Sequence, residues 1–262
     1  MAIIRRSPTG LLTSVRSVLT GGFRQHNSLT TDLIENMDKK ETWDRFYREN
    51  NAKRDFKNFE WFFGFDSVRD FILPLLRPQS DSATLRRILD LGCGTSALGP
   101  GIYKHSDWPV DVTCADISPV AVQLLQEQAR SKPFQPGNPS SRLSFLELDC
   151  CRLQTQFGEQ SLDVIVDKGT TDALLRSREG RPKAGSVLKQ CLGVLRQSGC
   201  LLQFSDEDPD ARLLWLERES GGLGAQAARI GLQEVGTLRG VCYYCYIISP
   251  PVHCDTSTPP LS

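Results

Sequence analysis

The sequence predicts an α/β fold, a seven-stranded and mostly parallel sheet with helices on both faces. Three observations lead to this prediction. Short apolar runs alternate along the chain with segments of helical pattern, which is typical of parallel strands joined by helices. Four successive runs end in an acidic residue. A loop with two glycines follows the first run and leads into a helix, as in open sheets that bind nucleotide-like ligands.

The first strand and its loop lie within residues 88–99. The strand runs into Asp90, and Gly92 and Gly94 follow one residue apart. Glycine allows unusual backbone dihedrals and the close approach of a ligand, so Gly92 is predicted to contact one. The next helix is predicted from about Ala97 to Lys104, with its free N–H groups turned toward the same ligand. Gly99 falls inside this helix, where alanine is expected to be tolerated.

Three further apolar runs also end in acids, and the carboxyl ends of parallel strands meet at one edge of a sheet. At the second strand, Asp116 can accept hydrogen bonds from both hydroxyls of a ribose. At the third, Asp149 can accept one from an adenine amino group. A single such acid can equally be a helix cap, but four at successive strand ends indicate a binding site. The runs are Val110–Ala115 before Asp116, Leu143–Leu148 before Asp149, and Leu162–Val166 before Asp167.

Two ligand classes fit the glycine loop. Residues 92–97 match the dinucleotide pattern G-x-G-x-x-G/A, so a dinucleotide-dependent oxidoreductase is one interpretation. Asp90 argues against it, because a carboxylate at this place repels a pyrophosphate. A carboxylate suits a cationic ligand instead, and S-adenosylmethionine carries a sulfonium and an ammonium group. S-adenosylmethionine is therefore the predicted cofactor, with the oxidoreductase as the alternative.

The rest of the chain supplies the remaining elements of the sheet and its helices. After the fourth strand, the pattern predicts two helices, a fifth strand and a final hairpin whose turn is Arg239-Gly240. The predicted ranges are a helix over Val187–Leu195, a strand over Cys200–Phe204, a helix over Asp210–Glu219, and hairpin strands over Leu232–Leu238 and Val241–Ser249.

Composition fits one catalytic domain and excludes several other classes. The chain has 262 residues, with 31 basic and 31 acidic side chains. This balance gives no strong field that favours nucleic acid, and no run of eighteen apolar residues predicts a membrane span. Nine scattered cysteines, an odd number, argue against a secreted disulfide framework. Cys242 and Cys245 lie three apart on a predicted strand and face opposite sides, so no metal site is expected and both are interpreted as buried thiols.

The motifs resemble those of class I, seven-stranded S-adenosylmethionine-dependent methyltransferases, which have a Rossmann-like sheet. The resemblance spans roughly residues 40–250. Within the class, Asp167–Ala173 resembles a subgroup of protein-lysine methyltransferases that includes enzymes acting on translation elongation factor 1-alpha, and mitochondrial lysine methyltransferases of citrate synthase resemble the chain most. Ser96 stands where many class I enzymes have a third glycine. The resemblance implies S-adenosylmethionine as cofactor, held by Gly92, Asp116, Ile117, Asp149, Cys150 and Lys168.

Aromatic residues precede the first strand. Trp43 and Tyr47 are four apart and share a face of a predicted short helix, and Phe59 and Trp61 follow. One interpretation is core packing of an N-terminal helix. The resemblance implies in addition that this segment lies over the cofactor, with Trp43, Tyr47 and Phe59 as its contacts. Aromatic faces near a sulfonium also gain cation–π attraction.

Catalysis by such an enzyme is mainly a matter of positioning. An in-line transfer of a methyl group needs two aligned reactants and a dry site, and the attacking lysine amine must be neutral. Asp167 and Asp172, close after the fourth strand, are the candidate catalytic residues because either can orient that amine. For Asp172 the alternative is a cap of the helix predicted to begin near Ala173.

The N-terminal segment, residues 1–31, contains four arginines, no acidic residue and an apolar stripe. This composition predicts a mitochondrial transit peptide, followed by a methyltransferase domain over 32–249 and a disordered tail over 250–262. A location in the mitochondrial matrix and the resemblance together imply that the substrate is a lysine of citrate synthase. The alternatives are a cytosolic lysine methyltransferase of a translation elongation factor, and a methyltransferase-like binding module without activity.

Overall fold

The computed structural model of the protein describes residues 32–51, 59–78, 85–221 and 227–251. The transit peptide predicted over 1–31 lies outside these residues, as does most of the predicted tail, residues 252–262. Both remain predictions.

Seven strands form a single sheet. The first four are the strands predicted to end at the ligand site. The fifth is the predicted strand that follows them, and the last two form the predicted hairpin. They are β1 (Arg86–Leu91), β2 (Val110–Asp116), β3 (Arg142–Glu147), β4 (Leu162–Lys168), β5 (Leu195–Ser205), β6 (Arg229–Leu238) and β7 (Val241–Ser249).

Helices connect the strands and cover the sheet. Three short 3-10 segments, Phe65–Ser67, Leu73–Leu76 and Cys150–Arg152, supplement the α-helices. The α-helices are α1 (Lys40–Asn51), α2 (Arg69–Ile72), α3 (Leu98–His105), α4 (Pro119–Ser131), α5 (Leu153–Phe157), α6 (Thr170–Arg176), α7 (Arg181–Val194) and α8 (Pro209–Glu219).

The strand order is β3-β2-β1-β4-β5-β7-β6. Strands β1 to β5 run parallel, and β7 is antiparallel to both of its neighbours. The chain therefore reverses its direction of travel across the sheet between β1 and β4. In open α/β sheets this switch point opens a crevice at the carboxyl ends of the strands. The seven-stranded, mostly parallel Rossmann-like sheet predicted from the sequence is confirmed.

The sheet is buried on both faces. One face packs against α3 and the 3-10 and α2 segments before β1, through residues such as Phe65, Ile72 and Ile102. The other packs against α5, α7 and α8, through residues such as Val187 and Leu216. Every residue of β4 is buried, as expected for the central strand of a covered parallel sheet.

Several predicted boundaries were wrong, since the helix expected over Val187–Leu195 spans Arg181–Val194 and β6 begins at Arg229 instead of Leu232. The start of α6 is the boundary that bears on the site. Strand β5 begins at Leu195 instead of Cys200, and a register irregularity between Leu162 and Val164 separates its first pairing with β4 from the rest. Helix α6 begins at Thr170 instead of near Ala173, so Asp172 lies inside the helix and does not cap it. Gly169 precedes the helix with a φ of 98°, a left-handed conformation that glycine adopts without steric cost.

The expectation that alanine is tolerated at Gly99 was wrong. This glycine lies in α3 with little space toward the sheet. A Cβ built there overlaps the Cys114 sulfur and approaches Asp90 Oδ2 to 2.9 Å. Asp90 Oδ2 also accepts a hydrogen bond from the Gly99 N–H at 2.9 Å. Gly99 therefore serves close helix–strand packing, which helix propensity alone does not reveal.

The interpretation of both hairpin cysteines as buried thiols was correct for only one of them. Cys245 is buried, whereas Cys242 is exposed and its sulfur lies 3.2 Å from the Thr237 hydroxyl. Their opposite orientation follows from the period of two along a strand. Among the described residues, none of the helices has the length and apolarity needed to cross a bilayer.

Candidate cofactor site at the carboxyl edge of the sheet

A cavity opens where β1, β2, β3 and β4 end. It includes eight of the nine residues predicted from the sequence to bind the cofactor: Trp43, Tyr47, Gly92, Asp116, Ile117, Asp149, Cys150 and Lys168. The remaining lining comes from residues that sequence reasoning did not assign to the site: Met37, Asp38, Trp61, Leu91, Leu148, Cys151, Gly169, Thr170, Ala173, Leu174 and Lys183.

The floor of the cavity is formed by the loops after β1 and β4, which are joined by one hydrogen bond. The Thr170 hydroxyl donates to the Leu91 carbonyl oxygen at 2.9 Å. Gly92 follows with a φ of 63°, and a Cβ built on it overlaps Thr170 Oγ1. The close approach of the two loops therefore requires a glycine at this position both for its dihedral and for its lack of a side chain.

Asp116, at the end of β2, holds the glycine loop and the start of α4 together. Its Oδ2 accepts from the Gly94 N–H and its Oδ1 from the Ser118 N–H, both at 2.8 Å. The carboxylate also faces the cavity, and each oxygen keeps a lone pair for a further donor. Burial raises the pKa of Asp116 to about 6, although the two backbone N–H groups favour the ionised form.

This raised pKa makes a testable contribution to stability. A carboxyl whose pKa is higher in the folded state than in the unfolded state stabilises the fold at low pH, and that contribution is lost as the pH rises through the folded value. The free energy of unfolding of Asp116→Asn minus that of wild type is therefore expected to increase between about pH 4 and about pH 7. The difference between pKa values of 3.8 and about 6 corresponds to about 3 kcal/mol.

Urea denaturation of both proteins without added cofactor, at several pH values, measures this difference. The asparagine amide cannot accept hydrogen bonds from both backbone N–H groups. The resulting loss of stability is independent of pH, so it shifts the difference in free energy of unfolding by a constant amount and does not change its pH dependence. Parallel pH dependences of the two proteins contradict the buried, titrating Asp116.

The turn after β3 forms the side of the cavity beyond Asp116. Asp149 caps the 3-10 segment that follows, where its Oδ1 accepts from the Cys151 N–H at 2.9 Å. Cys150 and the apolar side chains of Ile117 and Leu148 line the same part of the cavity. Apolar walls with one acceptor at their edge suit a flat heteroaromatic ring that carries an amino group.

Helix α1 and the segment after it form the roof. Trp43 stacks near Tyr47, with ring centroids 6.2 Å apart, and meets Trp61 edge to face at 5.8 Å. Phe59, the ninth residue predicted to bind the cofactor, does not line the cavity. It packs behind the roof against Phe46 and Trp61. Its contact with the cofactor remains a prediction. In the structure Phe59 takes part in aromatic packing, which is the alternative interpretation.

An ion pair that sequence reasoning missed connects the roof to the floor. The Lys168 ammonium donates to Glu60 Oε2 at 2.9 Å and to the Trp61 carbonyl oxygen at 2.7 Å. Glu60 also accepts from the Ser96 hydroxyl at 2.8 Å and from the Ala97 N–H at 2.6 Å. The available signal was a single acid within an aromatic run, Phe59–Phe63. Glu60 neutralises a cationic side chain beside the cavity and orders the start of α3 at the same time.

The structure places the carboxylate of Asp167 away from the cavity. Its oxygens accept from the Thr170 N–H at 2.8 Å and from the N–H and hydroxyl of Thr171. Burial raises the pKa of Asp167 to about 6, opposed first by the hydrogen bond from Thr171. Asp167 thereby fixes the N-terminus of α6 and the position of Thr170. Its catalytic role is untested and remains a prediction, while this geometry favours a positioning role.

Asp172, the other candidate catalytic residue, belongs to a buried network on the far side of α6. Its Oδ1 accepts from the Ser205 hydroxyl at 2.5 Å and from the Arg212 guanidinium at 2.9 Å. Both charged side chains are almost fully buried, and Asp172 is not part of the cavity lining. Asp90, whose charge suggested a cationic ligand, is also outside the lining, and burial raises its pKa to about 7.

These residues fit S-adenosylmethionine. The cavity combines an acceptor at the end of β2, an acceptor beside apolar walls at the end of β3, and a floor that a Cβ at Gly92 would obstruct. A ribose, an adenine and a methionyl chain need these three features respectively, and the strand order β3-β2-β1 places the ribose acceptor between the other two. Three carboxylates, those of Asp38, Asp116 and Asp149, and three aromatic rings around the cavity suit the positive charge of the ligand.

Comparison with known proteins agrees with this geometry. A family model described as a methyltransferase domain matches residues 84–212. The chain is 61% identical to mitochondrial citrate synthase-lysine N-methyltransferase of Danio rerio, over 88% of this chain and 92% of that protein. It is 42% identical to the human protein of that name, over 79% and 84%. A relative named EEF1A lysine methyltransferase 4, from Bos taurus, is 33% identical over 65% of this chain and 62% of its own length.

Among solved structures, the N-methyltransferase NodS of Bradyrhizobium japonicum in complex with S-adenosyl-l-homocysteine superposes with a TM-score of 0.52. It covers 79% of this chain and 98% of its own, at 17% identity, and therefore supports the fold. The names of the Danio rerio and human relatives place both in the mitochondrion, in agreement with the location expected from the sequence. The chain belongs to the citrate synthase-lysine N-methyltransferase family of S-adenosylmethionine-dependent protein-lysine methyltransferases.

Proposed function

We propose that this protein methylates a lysine side chain of citrate synthase in the mitochondrial matrix. The observation that carries the proposal is the cavity at the carboxyl ends of β1 to β4, lined by Gly92, Asp116 and Asp149. It occurs in a chain 61% identical to a relative named for this reaction. The name of the relative supports the substrate, and the cavity supports the chemistry.

S-adenosylmethionine supplies, when bound, a methyl group activated by a sulfonium. The chain's own contribution is to bind, to orient and to exclude water. Asp116 would hold the ribose hydroxyls and Asp149 the adenine amino group, with Ile117 and Leu148 as apolar neighbours of the ring. Gly92 would leave room for the methionyl part, and the rings of Trp43, Tyr47 and Trp61 would exclude water.

The acceptor amine enters beside the end of β4, where Lys168, Gly169 and Thr170 line the cavity. Three carboxylates line the described cavity, and Asp38 among them is held by the Ser177 hydroxyl and the Lys183 ammonium at 2.9 and 3.3 Å. Asp116 and Asp149 are assigned to the cofactor, Asp38 is held by its partners, and Asp167 is directed into α6, so we assign the proton of the amine to solvent. The rate acceleration then comes from alignment of the two reactants in a water-poor site.

The pair of Glu60 and Lys168 is expected to control affinity for the charged cofactor. Glu60→Gln keeps most hydrogen bonds but leaves the Lys168 ammonium without a counter-ion beside a cationic ligand. The dissociation constant for S-adenosylmethionine is expected to rise roughly tenfold, the size of a single charge interaction across about 12 Å at an effective dielectric constant near 20. S-adenosylhomocysteine lacks the sulfonium charge, so its affinity is expected to change less. Isothermal titration calorimetry with both ligands measures the two effects.

The matched control is the double variant Glu60→Gln/Lys168→Met, which removes both charges and is expected to recover affinity for S-adenosylmethionine. Equal loss for the two ligands in Glu60→Gln contradicts the electrostatic argument. If Lys168 binds the cofactor and does not repel it, Lys168→Met alone is expected to weaken the binding of S-adenosylmethionine as strongly as Glu60→Gln does.

The substrate is tested with purified full chain, radiolabelled S-adenosylmethionine, and citrate synthase or elongation factor 1-alpha as acceptor. Label is expected on a lysine of citrate synthase, located by mass spectrometry of peptides. Methylation of elongation factor 1-alpha without methylation of citrate synthase overturns the proposed substrate and favours the cytosolic alternative. No transfer to either protein, with cofactor binding intact, favours a binding module.

The location is tested independently. A fluorescent protein fused to residues 1–31 is expected to enter the mitochondrial matrix and to lose the segment there. A fusion that stays in the cytosol contradicts the proposed transit peptide and leaves the result of the methylation assay unaffected.

A further inference from the structure

Three consecutive residues at the turn after β3 bring metal-binding atoms together inside the cofactor cavity. A carboxylate oxygen of Asp149 and the sulfur atoms of Cys150 and Cys151 all lie within 4.8 Å of one another. All three residues line the cavity. The methyl-transfer mechanism uses Asp149 as an acceptor and Cys150 as part of a wall, and it gives the paired thiols no chemical role.

The local fold makes this arrangement. Asp149 is the N-cap of the 3-10 segment Cys150–Arg152, and its Oδ1 accepts from the Cys151 N–H at 2.9 Å. This bond turns the carboxylate back over the two residues that follow. The two sulfur atoms thereby lie close to each other and to the carboxylate. Both are partly exposed, whereas five of the other six cysteines of the described residues are buried.

Two thiolates and a carboxylate are a donor set for borderline-soft divalent cations such as Zn²⁺ and Cd²⁺, which leave a fourth tetrahedral position to water. A Zn–S bond of about 2.3 Å separates tetrahedral ligands by roughly 3.8 Å. The three atoms already lie within 4.8 Å of one another, so we expect rotation of the side chains to bring them to that separation. Binding releases the two thiol protons to solvent, so it strengthens as the pH rises.

We propose that Asp149, Cys150 and Cys151 form a site for a thiophilic divalent cation, and that this cation and S-adenosylmethionine exclude each other. The exclusion follows from position, because the cation takes the Asp149 carboxylate and occupies the space beside Cys150 in which the adenine is placed. A thiophilic metal is thus an inhibitor that acts at the cofactor cavity. This inference rests on the proposed placement of the cofactor.

The test uses the full chain, reduced with a phosphine, in a background where Cys242 and Cys254 are serine. Cys242 is exposed, and Cys254 lies outside the described residues. Cadmium is titrated into the protein, and its binding is followed by the ultraviolet absorption of the cadmium–thiolate bond. We expect one cadmium ion per chain, and at least tenfold weaker binding in Cys151→Ser made in this background. Absence of stoichiometric binding, or unchanged binding in Cys151→Ser, overturns the site.

Exclusion is tested by calorimetry with S-adenosylmethionine at saturating cadmium and again after addition of a chelator. The dissociation constant for the cofactor is expected to rise at least tenfold with cadmium and to return with the chelator. In Cys151→Ser, the dissociation constant for the cofactor is expected to be nearly the same with cadmium as with the chelator. Cofactor binding that is unaffected by bound cadmium overturns the exclusion. Methylation of citrate synthase is measured with chelator present, so failure of the proposed function is recognised separately from failure of the metal site.

Discussion

Gly92→Val is expected to reduce methyl transfer at least a hundredfold and to abolish measurable binding of S-adenosylmethionine. Gly92 has a φ of 63°, a conformation that a β-branched residue adopts only with strain. Its Cβ also overlaps Thr170 Oγ1, the atom that donates to the Leu91 carbonyl oxygen and joins the loops after β1 and β4. The substitution therefore separates the two loops that form the floor of the cavity.

Gly64→Ala is the matched control for this experiment. Gly64 has a φ of −85° and no heavy atom within 4 Å of a built Cβ, so alanine is expected to change activity less than twofold. Thermal unfolding of both variants shows whether the fold survives, and calorimetry with the cofactor shows whether the site does. A folded Gly92→Val protein with near wild-type turnover contradicts the assigned cofactor site.

Gly92→Ala with and without Thr170→Ala separates the two causes of the loss. Removal of the Thr170 side chain beyond Cβ relieves the overlap with Oγ1 but leaves the backbone strain at position 92. It also removes the hydrogen bond to the Leu91 carbonyl oxygen, so Thr170→Ala alone is measured as the reference. Partial recovery of cofactor binding in the double variant is expected. Identical binding by Gly92→Ala and the double variant, with normal binding by Thr170→Ala, shows that backbone strain alone accounts for the defect.

The parts of the site that could be predicted from the sequence are those determined by local pattern. Asp116 and Asp149 end strands that alternate or are continuously apolar, and the carboxyl ends of parallel strands necessarily meet. Their convergence on one cavity follows from secondary structure and the rule of the switch point. Gly92 could be predicted for the same reason, since its place between a strand and a helix is visible in the chain.

The parts that could not be predicted depend on contacts between distant segments. Glu60 and Lys168 are separated by 108 positions, and no local pattern indicates that the acid before Trp61 reaches the end of β4. Gly99 has the sequence context of a tolerant helical glycine, and only its distance to Asp90 and Cys114 shows that alanine does not fit. Helix propensity concerns only the helix to which a residue belongs. It carries no information on the residues of other elements that pack against it.

Asp172 shows a second limit, because its place in the sequence did not indicate the partner of its side chain; the cap interpretation is wrong, and the catalytic role remains a prediction. Its position five residues after Asp167 suggested either catalysis or a helix cap. The helix instead begins at Thr170, so Asp172 lies in its first turn with the side chain directed to Arg212 on α8. Sequence proximity to a functional strand end does not determine which face of the next helix a residue occupies.

Asp172→Ala is expected to destabilise the fold by about 3–5 kcal/mol, the usual cost of leaving one member of a buried ion pair unpaired. The Arg212 guanidinium is completely buried, 2.9 Å from Asp172 Oδ1, with the rings of Trp215 and Tyr246 at 5.7 and 5.8 Å. Arg212→Met is expected to be destabilising for the converse reason, since the buried Asp172 then loses its nearest cationic partner. Urea denaturation measures both losses.

The double variant Asp172→Leu/Arg212→Met shows whether Asp172 stabilises the fold or takes part in the reaction. Replacement of a whole buried pair by apolar side chains is often neutral for stability, and the rings of Trp215 and Tyr246 offer a methionine an apolar surface. The double variant is expected to recover most of the stability lost in each single variant. Because Asp172 lies outside the cavity lining, the turnover number of the double variant is expected to stay within about fivefold of wild type. A stable double variant without methyl transfer shows instead that the Asp172 carboxylate takes part in the reaction.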